Sequence, residues 1–206
     1  MHFTDEHLMT QTRFSYVVVP FFPGPEIAAT EPVNKVLPLP ALARRGVPLA
    51  SKFPPTTEIT LSTRSGNRFT DFIYTTTRVI LASQRAWDLM RAEGVTEEQT
   101  EYLPFILKDR KGRVRPEKYG FVNPLLKVPC FDFEKSLYGR LPTETPGRLA
   151  GIRRLHILPE KVPEDVKLFR LAENTNTTLM RTDLLEKLQA AGMEGLRGIA
   201  LGELLE

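Results

Sequence analysis

The chain has 206 residues, 41% hydrophobic and 26% charged, which is enough for a substantial core without metals or disulfides, and its single cysteine, Cys130, excludes an intrachain disulfide. Its 28 basic and 25 acidic residues leave a formal charge of +3, too mild to mark a nucleic-acid binder by composition. No stretch approaches a membrane span, and Asp5 and Glu6 stand where a signal peptide carries positive charge, so the sequence reads as a soluble, cytoplasmic, bacterial-type protein without a targeting segment.

Residues 1–13 are polar and read as loose or weakly helical. Residues 16–22, YVVVPFF, have strong β-propensity, with Pro20 best placed at an edge or a strand end. Nine of the 17 prolines fall within the first 55 residues, which denies that segment a long helix or a central strand. Yet Ile27, Val33, Val36, Leu49 and Phe53 are spread through it, so residues 1–57 are expected to form a proline-rich N-terminal strand and arm packed on a body of residues 58–206. The run KVLPLP at 35–40 also fits a polyproline helix offered to a partner groove, a weaker reading than packing on the body.

From Glu58 the pattern turns to strands. Ile59 and Leu61 alternate with Thr60 and Ser62, Ser65-Gly66-Asn67 supplies a turn, and Phe69 with residues 71–74 begins another strand, which predicts a hairpin. Residues 79–94, VILASQRAWDLMRAEG, read as a strand running into a helix capped by Ser83 and stopped at Gly94, with Ala86, Leu89 and Met90 at helical spacing beside Trp87. Residues 178–192, TLMRTDLLEKLQAAG, repeat the phrase with Thr182 as the cap, so two helices are expected at about 83–93 and 182–191. Between them, residues 102–108 and 119–122 read as a long β-hairpin with Lys111-Gly112 at its tip. Phe131 and Phe133 alternate as on a half-buried strand whose other face carries Asp132 and Glu134, residues 138–148 read as a surface loop, and strands are expected at 168–171 and around 196–201. The whole predicts an α+β fold: a single domain with a mostly antiparallel sheet, two principal helices and the arm.

Chemistry-bearing patterns are sparse. His2, His7 and His156 have no zinc-ligand spacing, no glycine-rich phosphate loop occurs, and no metal or cofactor is expected. Cys130 would serve as a nucleophile only if folding brought His156 to it with Asp132 orienting that histidine; a buried strand thiol is the simpler reading. Asp71, alone among apolar neighbours in FTDFIY, requires a partner, and an ion pair or turn hydrogen bond is the default over a catalytic pairing with Glu101. The strongest electrostatic feature is KDRKGRVRPEK at 108–118, six cations against Asp109 and Glu117. Lys108, Arg110, Lys111, Arg113 and Arg115 are its first candidates for contact with an acidic surface or with phosphates, although solvation of an exposed turn explains the charge almost as well. Aromatic residues are missing from the tip, so a nucleic-acid-binding accessory role is the alternative and not the leading reading.

The YGFVNP block at 119–124, the stretch at 132–136, LFRL at 168–171 and the AGMEG turn at 191–195 together resemble the immunity-protein family of bacterial polymorphic-toxin systems, first noticed in myxobacteria and formerly a domain of unknown function. The resemblance covers roughly residues 58–201 and leaves the arm outside. It implies a non-enzymatic protein that binds and neutralises a cognate toxin by steric occlusion, the toxin being encoded next door. With this implication the hairpin cations become the first candidates for toxin contact, and Trp87 an anchor only if it is exposed.

Overall fold

Both main sheets bury side chains on their two faces, which is why so many strands in this chain read as continuous apolar runs. The computed structural model describes residues 14–20, 26–30, 42, 44–54, 56–75, 79–140 and 149–205. The elements in chain order are β1 (Tyr16–Val18), β2 (Ala29–Thr30), β3 (Glu58–Thr60), β4 (Phe72–Thr75), β5 (Ile80–Ser83), α1 (Gln84–Ala92), β6 (Thr100–Lys108) and β7 (Tyr119–Pro124). They continue with β8 (Lys127–Val128), β9 (Leu137–Arg140), β10 (Leu149–Arg154), β11 (Leu168–Leu171), β12 (Thr178–Arg181), α2 (Thr182–Ala190) and β13 (Ile199–Ala200). The fold is α+β in one domain, with two principal helices where the periodicity places them.

The strands divide into two mixed sheets and a ribbon. One sheet has the order β2-β4-β5-β7-β6-β3, and its ends meet: Thr30 bridges Leu61, and the Ser62 N–H donates to the Ala29 carbonyl at 2.8 Å, so the sheet curls into a nearly closed barrel. The second has the order β13-β1-β12-β11-β8, while β9 and β10 form a separate antiparallel ribbon. Strand alternation sorts the layers. Ile80 and Ala82 face the helices while Val79 and Leu81 fill the barrel; Val17 and Val19 face the helices while Tyr16 and Val18 cover the far side of the second sheet. Trp87, Met90, Leu184 and Leu188 from the helices lie in the layer between the sheets.

Local signals set the helix ends. The Ser83 hydroxyl accepts the Ala86 N–H at 3.1 Å, and Gly94 takes the left-handed conformation past the end of α1 (φ +96°). The expected cap of α2 shifts by one: Arg181 is the N-cap and Thr182 already lies in the helix, its N–H donating to the carbonyl of Ser15, the residue before β1.

Three expectations are corrected. Residues 58–62 and 69–74 are not a hairpin: β3 pairs in parallel with β6, and β4 pairs with β5 and, in parallel, with β2, because closing the barrel puts β3 at the opposite end of the sheet. Residues 131–136 turn instead of running as a strand, since the Asp132 carboxylate accepts the N–H groups of Glu134 and Lys135 at 3.0 Å; Phe131 is buried and Phe133 is 49% exposed. Residues 138–140, expected to begin a loop, belong to β9 and pair with β10; residues 141–148 lie outside the described residues, as do 1–13 and KVLPLP. The segment before residue 58 supplies β1 as an interior strand and β2 as an edge strand, with Pro20 beyond the strand end, and it buries Ala28, Leu49 and Phe53 against the barrel.

Candidate functional site

One carboxylate, Asp109, organises the tip of the β6–β7 hairpin. Asp109 accepts the N–H groups of Lys111 at 2.8 Å and Arg113 at 2.9 Å, and Gly112 takes the left-handed turn position (φ +79°). The backbone N–H of Arg113 above all, then its side chain and the Lys111 N–H, hold the Asp109 carboxyl below its ordinary range. Arg110 is spent on the fold: its guanidinium donates to the carbonyls of Ser62 at 2.8 Å, Ser65 at 2.6 Å and Gly66 at 3.0 Å, clamping the 62–66 loop against the tip. Gly66 has no room for a Cβ, which would run into the Glu26 backbone, so the loop is wedged between hairpin and arm.

The other cations differ in how much of their charge is free. Lys108 pairs with Glu58, and Arg115 pairs with Glu117 while lying 4.6 Å over the Phe69 ring. Arg113 pairs with Asp109, yet its side chain is 74% exposed; Lys111 is exposed and has no ion pair among the described residues. Arg110, Lys111, Arg113 and Arg115 rim a depression of about 220 Å³ floored by Leu61 and Phe69. Val114, between Arg113 and Arg115 in sequence, is an apolar side chain 65% exposed. Sequence reading found the cations and missed the floor, because Leu61 and Phe69 there look only like strand residues.

A second cleft adjoins at Phe69, lined among others by Asp71, Arg85, Lys118 and Tyr119. Asp71 has the partners that its apolar setting demanded: Arg85 through two hydrogen bonds at 3.1 and 2.7 Å, the Ser83 hydroxyl at 2.8 Å, and the Glu194 N–H at 3.2 Å. Burial pushes its carboxyl up, but the bonds from Arg85, Ser83 and Glu194 outweigh this and hold it below the ordinary value. Ser83 therefore serves two elements at once, capping α1 and binding Asp71. Glu101 belongs to a different network, accepting from the Leu49 and Ala50 N–H groups and from Asn123. The two carboxylates thus hold separate structural positions.

Cys130 is fully buried, and burial pushes its thiol up to about 12, the wrong direction for a nucleophile. Trp87 is buried too, stacked on Tyr102 at 5.2 Å with the rings 5° from parallel, which removes it as a surface anchor. Sequence reading also missed Arg170, 1% exposed on β11, which donates to the Pro124 carbonyl at 2.9 Å and the Thr175 carbonyl at 2.8 Å. A charged residue inside LFRL was the available signal. Burial pulls its guanidinium down to about 10. Among the described residues no group of three or more His, Cys, Asp and Glu is placed to hold a metal ion, and no helix is long and apolar enough to cross a membrane.

Residues 21–203 match the model of the immunity protein family Imm11. The chain belongs to this family. No curated protein matches it. The Imm11 match reaches back to residue 21 and takes in most of the proline-rich arm, which the resemblance seen in the sequence left outside. That extent fits the pairing of β2 with β4 and the burial of Leu49 and Phe53, which make this segment part of the Imm11 barrel. Membership connects the chain to toxin immunity in general.

Proposed function

We propose that this Imm11 protein binds one cognate bacterial toxin and neutralises it by steric occlusion, transforming no substrate itself. The family match over residues 21–203 carries the reading. The toxin is the product of the adjacent gene in a polymorphic-toxin system used in interbacterial competition, and the encounter takes place in the cytoplasm of the producing cell or its kin. The contact face is the hairpin bearing Lys108, Arg110, Lys111, Arg113 and Arg115. What supports this choice is rigidity. Asp109 and Arg110 hold the tip in one conformation through hydrogen bonds to backbone, so little ordering entropy is lost on association.

Co-expression with the adjacent gene product tests the proposal. The expected result is a stable one-to-one complex of submicromolar affinity, about 8 kcal/mol or better, and growth protection of cells that express the toxin. Failure to copurify together with failure to protect would refute it.

A further inference from the structure

We infer that the 220 Å³ depression between the hairpin tip and the 61–69 loop is the anchoring subsite for the toxin, and that it takes an acidic loop carrying an apolar side chain. The inference rests on the immunity reading and names the partner chemistry that the reading leaves open.

Charge decides the first half. Four cations, Arg110, Lys111, Arg113 and Arg115, line this depression with a single carboxylate, Asp109, which is already occupied by Arg113 and two N–H groups. Arg110 and Arg115 are committed within the chain, whereas Lys111 and Arg113 project into solvent. A basic protein surface would meet uncompensated repulsion here; carboxylates would be steered in and paired.

The floor decides the second half. Leu61 is buried and Phe69 half-buried, so the bottom of the depression is apolar, and Val114, between two of the rim arginines in sequence, is an exposed apolar side chain. An apolar centre within a polar rim is the arrangement in which a partner's side chain is desolvated and held. The stack of Arg115 on Phe69 and the Arg110 clamp set the walls before any partner arrives. Nucleic acid fits less well. The ring available for stacking a base is already covered on one face by a guanidinium, and only Lys111 and the exposed but Asp109-paired Arg113 are left to meet phosphates.

The test titrates the full-length chain against the adjacent gene product by calorimetry, at low and moderate salt. Three variants are used: Lys111→Glu with Arg113→Glu, Val114→Ser, and the distant control Lys135→Glu, each checked for an unchanged melting curve. The double reversal should weaken Kd by about a hundredfold or more, Val114→Ser by several-fold, and the control by less than about twofold. Raising the salt should weaken the wild-type complex more than that of the double reversal.

A double-reversal variant that binds as the wild type does would overturn the subsite and leave the immunity reading standing. A wild type that forms no complex would bring down both. The same variants are titrated with a single-stranded oligonucleotide. Tight wild-type binding of that probe, lost in the double reversal, would assign the patch to nucleic acid and overturn the acidic-loop inference.

Discussion

Gly120 lies within β7 where the Tyr102 ring crosses the strand, and replacing it with alanine puts the packing logic of the molecule to a direct test. A Cβ built there falls inside the van der Waals envelope of the ring, 2.8 Å from Cε1 and closer still to Cζ and Cε2. The ring would need to retreat by about 1 Å to reach ordinary carbon–carbon separation. Its other face is stacked on Trp87 at 5.2 Å, and Trp87 is 3% exposed, so the retreat is blocked. Overpacking of this kind costs about 1–3 kcal/mol, and the upper half of that range applies where both ring faces are covered. Urea denaturation of Gly120→Ala should therefore show a lower midpoint at unchanged m-value, and the melting temperature should fall by about 2–4 °C for each kcal/mol in a chain of this size. Tyr102→Ala alone loses the stack and its buried area. The two changes together should cost clearly less than their sum, because the new methyl occupies space that the ring has left. A Gly120→Ala cost below about 0.5 kcal/mol, or strict additivity in the double mutant, would refute the reasoning.

Asp71→Asn should destabilise the chain near neutral pH by removing the charge that Arg85, Ser83 and the Glu194 N–H share. Since the folded carboxyl sits below the ordinary value of 3.8, its contribution is complete above that pH and is lost as pH falls through the folded value. The stability gap between wild type and variant should thus close below pH 3.8, and a gap independent of pH would contradict the assignment. Cys130 should resist thiol reagents at pH 8 in the native state and react at once in denaturant, because it is fully buried with its thiol raised to about 12; rapid native labelling would argue against that burial. Arg170→Met should cost about 3 kcal/mol by chemical denaturation, since it takes the Arg170 donor from the buried carbonyl of Pro124 and the part-buried carbonyl of Thr175. A near-neutral outcome there would mean that water reaches those carbonyls.

Part of this protein was determined by its sequence alone, and that part is local. Ser83 caps α1 because a hydroxyl three residues before Ala86 reaches an orphan N–H whatever else the chain does. Lys111-Gly112 turns the hairpin because Gly112 accepts a positive φ, and Asp71 needed a partner because an unpaired carboxylate is expensive among apolar groups. The family blocks at 119–124 and 168–171 were equally plain in one dimension. Tertiary structure alone decided what lies across the barrel. The parallel pairings of β2 with β4 and of β3 with β6 join segments 45 or more residues apart, and no turn residue announces them. For the same reason Leu61 and Phe69 were legible as strand residues but not as the floor beneath four cations. Which cations remain free was decided there as well. Arg110 and Lys111 are adjacent and similarly charged in the sequence, and only the folded chain places three carbonyls within reach of one guanidinium and leaves the other's ammonium without an ion pair among the described residues.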